Sequence, residues 1–151
     1  MEPPGGPVRL PNFVITRGGR PLALGGKRAR PLLLHIWASW CGPCRAELPS
    51  LLEFGKKGPA EVLAVSVDDD YNAAVRFFGG QVPAEVAWDG KIVLEPGLGV
   101  RALPATFLVD TDGVLRFRWD GMQPWTEDSA RFIRDLLLAP SGRQETSPVR
   151  R

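Results

Sequence analysis

The sequence predicts an α/β fold in which a central mixed β-sheet is flanked by helices. Three patterns predict it. Residues 32–38, Leu-Leu-Leu-His-Ile-Trp-Ala, form an apolar run of strand length, and residues 44–57 then place Leu48, Leu51, Leu52 and Phe54 close to helical spacing. Residues 61–67 are a second apolar run followed by a helical segment, which makes a βαβ arrangement with parallel strands. The final third reads as an antiparallel hairpin and a helix.

Each element can be justified in order. Residues 1–7 are mostly proline and glycine and are expected to be a flexible N-terminus. Residues 8–139 are expected to form one domain, and the polar residues 140–151 a flexible C-terminal tail. Lys27-Arg28-Ala29-Arg30 reads as a solvated loop. Periodicity alone does not separate strand from helix in 32–38, but Pro31 and Pro43 favour a buried strand. Pro43 suits the first turn of the next helix, where its missing N–H is not needed. After the strand at 61–67, Asp70 can cap a helix over 71–78, which Gly79-Gly80 stops. Asp68-Asp69-Asp70 lacks EF-hand spacing and reads as a solvated loop. Residues 86–88 suggest a short strand, and 91–98 a short helix broken by Pro96-Gly97. The hairpin strands are 105–109 and 114–119, with Asp112-Gly113 as the turn. In the second strand Arg116 and Arg118 alternate with Leu115, Phe117 and Trp119, which predicts an edge strand with one solvated face. Thr126 or Asp128 can cap the last helix, whose apolar residues are Phe132, Ile133, Leu136 and Leu137.

Composition narrows the function classes. A chain of 151 residues with 44% hydrophobic content can bury a single stable core. A net charge of +2 with mixed signs gives no case for nucleic-acid binding. No stretch of 18 apolar residues is present, so no spanning helix is predicted. The start lacks a charged n-region followed by an apolar h-region. Gly97-Leu98-Gly99 lacks the third glycine and the preceding strand of a dinucleotide site.

Trp40-Cys41-Gly42-Pro43-Cys44 carries the strongest functional signal and contains both cysteines of the chain. Two thiols separated by two residues can close and reopen a small disulfide. The pair falls at a strand-to-helix junction, where unpaired N–H groups and the helix dipole favour an anion. The Cys41 thiol is therefore expected below the free value of roughly 8.5, toward ~7 as in comparable C-x-x-C sites. Cys44, a turn deeper, is expected to be less exposed. A purely structural disulfide would remove little chain entropy with so small a loop. Two cysteines and one distant histidine make a poor zinc site.

The pentapeptide after an apolar strand resembles the active site of thioredoxin. Residues 99–110, Gly-Val-Arg-Ala-Leu-Pro-Ala-Thr-Phe-Leu-Val-Asp, resemble the stretch that holds the cis-proline in the same superfamily. Arg45-Ala46-Glu47-Leu48-Pro49 after the second cysteine is similar to the TlpA/ResA-like (CcmG-like) branch, whose members are exported bacterial thiol-disulfide oxidoreductases. The resemblance runs from about residue 10 to residue 139. It implies a thioredoxin fold with an N-terminal extension and a central insertion. It implies a protein-disulfide reductase with Cys41 and Cys44 as catalytic residues, and substrate contacts at Trp40, Gly42, Pro43, Leu103 and Pro104, the last with a cis peptide bond. Glu47 matches an acid that tunes thiol pKa and moves protons in that branch; a first-turn helix acid favoured by the dipole is the other reading. His35 stands where thioredoxin has a buried aspartate. It is compatible with accepting the Cys44 proton, with stabilising a thiolate as a cation, and with a plain hydrogen-bonded core role.

The implied partners are a disulfide-containing protein, such as apocytochrome c or a copper-site protein, and an upstream thiol reductant. No metal or cofactor is expected beyond the redox-active pair, and the chain is expected to be monomeric. Gly42-Pro43 between the cysteines resembles thioredoxin, a reductant near about −270 mV, and so points to net reduction. The resemblance implies an extracytoplasmic or periplasmic location, with membrane contact only through an anchor that these residues do not carry; an unusual cytosolic member is the other reading. A partner- or metal-binding module without redox turnover is the alternative function. A peroxiredoxin is disfavoured, because the threonine and proline that precede its peroxide-reactive cysteine are absent.

Overall fold

The computed structural model describes residues 7–140 and 145–146. Its elements are β1 (Val14–Arg17), β2 (Arg20–Ala23), β3 (Leu32–Trp37), α1 (Gly42–Lys57), β4 (Glu61–Ser66), α2 (Tyr71–Phe77), β5 (Val86–Trp88), α3 (Leu94–Leu98), β6 (Ala105–Val109), β7 (Leu115–Asp120), α4 (Glu127–Leu138) and β8 (Glu145–Thr146). The strands form one mixed sheet in the order β2-β1-β5-β4-β3-β6-β7-β8. β3 pairs in parallel with β4, and β4 with β5; β6 runs antiparallel to both β3 and β7. This is the mixed sheet that the βαβ and hairpin patterns predict.

Alternation along β3 divides its side chains between two apolar clusters. Leu32, Leu34 and Ile36 join the cluster that contains Val65, Phe107, Cys44 and Leu48. Leu33 joins Leu51, Val62, Leu108, Phe117, Trp125 and Ile133. All six residues of β3 are buried, which accounts for a run that is apolar apart from His35 and for its central place in the sheet.

The helix ends follow the local chemistry. The Asp70 side chain accepts from Asn72 N–H at the start of α2, and Gly79 and Gly80, both at positive φ, follow its end. Thr126 caps α4 in a capping box with Ser129, which selects Thr126 over Asp128. Gly113 at φ +85 makes the β6–β7 turn. No helix among the described residues is long and apolar enough to cross a membrane.

Four features depart from the sequence expectations. First, β1 and β2 form a hairpin across Gly18-Gly19, both at positive φ as a two-residue turn requires. Pro21 is tolerated because β2 is the sheet edge. Second, α3 starts later than expected and contains Pro96-Gly97 rather than being broken by them; Pro96 lies in the first turn, where no N–H partner is needed. Third, Arg116 is not on a solvated face. It is 3% exposed, pairs with Asp110 and donates to the carbonyls of Leu136, Ala139 and Pro140, so the chain leaving α4 folds over it. Arg118 lies over the Phe107 ring, 5.0 Å from its centroid. Fourth, Glu145–Thr146, two residues of the expected tail, pair with β7, so β7 is not the edge of the sheet. Residues 1–6, 141–144 and 147–151 lie outside the described residues.

Candidate active site

The sheet register builds the site. β3 and β6 are antiparallel, and Ile36 pairs with Ala105. The C-terminal end of β3 therefore lies beside the N-terminal end of β6. The loop leaving β3 carries Cys41, and the loop entering β6 carries Leu103-Pro104, whose peptide bond is cis. Two segments more than sixty residues apart in sequence meet there: the Cys41 sulfur lies 3.8 Å from the Leu103 carbonyl oxygen.

Cys41 is the N-cap of α1. Its backbone is extended and its Sγ accepts from the Cys44 N–H at 3.3 Å. The position gives this sulfur the donor environment that favours an anion. Cys41 and Cys44 are joined as a disulfide. Cys41 is 6% exposed and Cys44 fully buried, so the outer sulfur is the one an incoming partner can reach. Gly42 and Pro43 are exposed between them, and Pro43 occupies the first turn of α1 as expected. Trp40 is 71% exposed, an unusual position for so large an apolar surface. Trp37, by contrast, is fully buried against Phe77 and Phe78.

Glu47 follows Cys44 by three residues on α1 and is 1% exposed. Its Oε2 accepts from the Trp125 indole N–H at 2.5 Å and from the Gln123 backbone N–H at 3.4 Å. Its Oε1 is buried without a partner. Burial pushes the carboxyl up to about 7, against the opposing effect of the two donors. An acid near neutrality can both take and release a proton at physiological pH. A solvated first-turn acid would be exposed, and this one is not.

His35 is fully buried in the middle of β3, paired with Thr106 across the β3–β6 ladder. Its Nδ1 is 2.9 Å from Thr106 Oγ1, and Nε2 has no partner. Burial lowers its pKa to about 3. The ring is therefore neutral at physiological pH, which removes the reading of His35 as a thiolate-stabilising cation. Accepting the Cys44 proton would form the same buried imidazolium that this environment disfavours, whereas the hydrogen-bonded core role needs only the neutral ring.

Three supporting residues escape sequence reasoning. Asp68, read as part of a solvated loop, is 2% exposed. Its carboxylate accepts from Ser39 N–H and Oγ and from Ser66 Oγ, tying the end of β4 to the loop that carries Cys41. Alternating polarity at the strand end gives no sign of this; only the pairing of β3 with β4 brings Ser39 to it. Trp125 and Gln123 reach Glu47 from the segment before α4, and nothing local in the sequence links them. Among the described residues, no group of three or more His, Cys, Asp or Glu side chains is placed to hold a metal ion. The arrangement is suited to thiol-disulfide exchange: an accessible sulfur at a helix N-terminus, a buried one a turn behind it, and a buried acid on the same helix.

Comparison with known proteins gives the same picture. The family model described as Redoxin matches residues 6–132. The thiol:disulfide interchange protein DsbE of Vibrio cholerae is 33% identical over 115 residues, which cover 73% of this chain and 62% of that protein. This chain thus spans less than two thirds of that relative's length. Among solved structures, a Chlorobium tepidum chain assigned as a thiol:disulfide interchange protein DsbE superposes with a TM-score of 0.70 at 30% identity, covering 91% of this chain and 98% of that one. The exposed lipoprotein thioredoxin of Streptococcus pneumoniae superposes with a TM-score of 0.68 at 23% identity, covering 82% and 98%, a likeness of fold.

Proposed function

This chain belongs to the Redoxin family of the thioredoxin superfamily, and from that premise we propose that it is a protein-disulfide reductase working through Cys41 and Cys44. The observation that carries the reading is the placement of the pair: Cys41 caps α1 and its sulfur faces the Leu103 carbonyl beside the cis Leu103-Pro104 bond.

In the reduced protein the Cys41 thiolate attacks one sulfur of the substrate disulfide. The substrate S–S bond breaks, a Cys41–substrate mixed disulfide forms, and the other substrate sulfur leaves as a thiolate that takes up a proton. Cys44 then loses its proton and attacks Cys41. This releases the second substrate thiol and leaves the Cys41–Cys44 disulfide, so two electrons pass to the substrate. Glu47, held near neutrality on the same helix face, serves as the acceptor of the Cys44 proton. Leu103 offers its backbone to an extended substrate segment, and Trp40, Gly42 and Pro43 form the exposed contact surface around Cys41.

The substrates in this reading are exported disulfide-bearing proteins, with apocytochrome c and copper-site proteins as candidates, and a separate thiol donor restores the dithiol. The name of the Vibrio relative, a thiol:disulfide interchange protein, supports the exchange chemistry. The extracytoplasmic location in this reading follows from the resemblance to the exported TlpA/ResA-like branch. The protein acts as a monomer. The test is insulin reduction by the chain with dithiothreitol as the donor. The account expects turnover above the background of dithiothreitol alone and no enhancement with Cys41→Ser; equal rates with both proteins would sink it.

A further inference from the structure

We propose that the cleft beside Trp40 docks an acidic segment of the protein substrate, next to the disulfide under attack. The inference rests on the reductase reading above and adds the substrate's local chemistry to it. The cleft has a volume of about 500 Å³ and lies between the loop carrying Cys41 and helix α2. Ser39, Trp40 and Arg45 form one side, and Ala73, Arg76 and Phe77 the other.

Both charged side chains that line it are guanidiniums. Neither is ion-paired to a carboxylate among the described residues. The Asp70 carboxylate is engaged with the Asn72 N–H at the α2 cap and does not line the cleft. Arg45 is held in place: it donates to the Ser39 carbonyl at 3.1 Å, and its guanidinium lies over the Phe77 ring, 5.1 Å from the centroid. That fixed, planar charge has donors to spare for a carboxylate and loses little rotamer freedom on binding one. Arg76, exposed in the last turn of α2, adds a second cation. Trp40, 71% exposed, supplies the apolar wall.

Trp40 is covalently next to Cys41. Each extended residue of a substrate spans roughly 3.3–3.6 Å. A side chain in the cleft therefore belongs to a residue within a few positions of the sulfur that Cys41 attacks. Aspartate or glutamate there would meet two cations, and lysine or arginine would meet like charge.

The experiment reacts the reduced chain with two synthetic peptides that share one intramolecular disulfide. One carries glutamates and the other lysines at the flanking positions. Bis(2-hydroxyethyl) disulfide, a neutral small molecule, serves as each protein's own reference. The rate constants should favour the acidic peptide by about threefold to tenfold at low salt, the range that two exposed ion pairs can supply. The ratio should approach one near 1 M salt, where screening is strong. Arg45→Gln with Arg76→Gln should abolish the preference, and Arg45→Glu with Arg76→Glu should invert it. Equal rates for the two peptides with the unaltered chain, or a preference that survives both substitutions, overturns the inference while the reductase reading stands. Failure to reduce even the neutral disulfide overturns the reductase reading, and the inference with it.

Discussion

Glu47 combines three properties that are seldom found in one carboxylate: near-complete burial, a bond from an indole N–H, and one oxygen left without a partner. Desolvation raises its pKa and the Trp125 and Gln123 donors lower it, with desolvation the larger effect. If this group takes the Cys44 proton, the rate of resolving the mixed disulfide should rise with pH through a step near 7. Glu47→Gln should remove that step and slow resolution by about 10²-fold, the lower range for general-base catalysis. Trp125→Phe keeps the apolar packing but deletes the donor to the charged form, so the step should move to higher pH. Rapid-mixing rates of mixed-disulfide resolution between pH 5 and 9 check both. The nearness of Glu47 to Cys44 was legible in the sequence because their spacing is local to one helix; its proton role was read from the resemblance. Trp125 was not: it lies 78 residues from Glu47, and only tertiary packing joins them.

At the scale of the element, β7 shows where pattern reading fails. Alternation of Arg116 and Arg118 with apolar residues is the usual mark of a half-solvated strand. Alternation reports which side chains share a face, but not what covers that face. Here the end of α4 returns over Arg116, whose guanidinium meets Asp110 and three main-chain carbonyls. Replacing it by an apolar residue leaves the buried Asp110 Oδ2 without its cation and takes the guanidinium donor from the Ala139 and Pro140 carbonyls. Arg116→Leu should therefore destabilise the fold by about 3 kcal/mol, the lower range for breaking a buried pair. Urea unfolding checks it; a loss within 0.5 kcal/mol, as for an ordinary surface change, would contradict the burial described here. The β1–β2 hairpin escaped the sequence reading for a different reason: the Gly18-Gly19 turn is local, but Pro21 and the exposed Arg20 and Ala23 give β2 no strand pattern. α1 was read almost to the residue, because Pro43 and the apolar spacing specify it without help from elsewhere.

For the whole molecule, topology was largely legible because β3, β4 and β6 are buried runs joined by recognisable turns and caps. Their register, which brings the Leu103-Pro104 bond to Cys41, came through resemblance rather than through local physics. The same assembly sets a pH dependence of stability through two buried groups with opposite signs. The Glu47 pKa rises on folding from 4.5 to about 7, so its contribution is full below 4.5 and is lost as pH rises through 7. The His35 pKa falls on folding from 6.5 to about 3, so its contribution is full above 6.5 and is lost as pH falls toward 3. On these two groups alone, the effects offset between about 4.5 and 6.5, and stability there is flat. Glu47→Gln should expose the His35 slope, with stability dropping by up to about 1.4 kcal/mol per pH unit below 6.5. His35→Gln should expose the reverse slope, with stability rising as pH falls from 7 to 4.5. Urea midpoints across pH 4 to 8 for the three proteins test both signs.

The catalytic predictions presuppose that Cys41 is the attacking sulfur and Cys44 the resolving one. The most direct measurement mixes reduced Cys44→Ser protein with a disulfide-bearing protein substrate, blocks remaining thiols, and maps the adduct by mass spectrometry. The account predicts a stable mixed disulfide at Cys41, with no such adduct accumulating in the unaltered chain, where Cys44 resolves it. The parallel experiment with Cys41→Ser should yield little adduct, because Cys44 is fully buried. Efficient capture at Cys44 in the Cys41→Ser protein, or no adduct at Cys41 in the Cys44→Ser protein, would contradict the account.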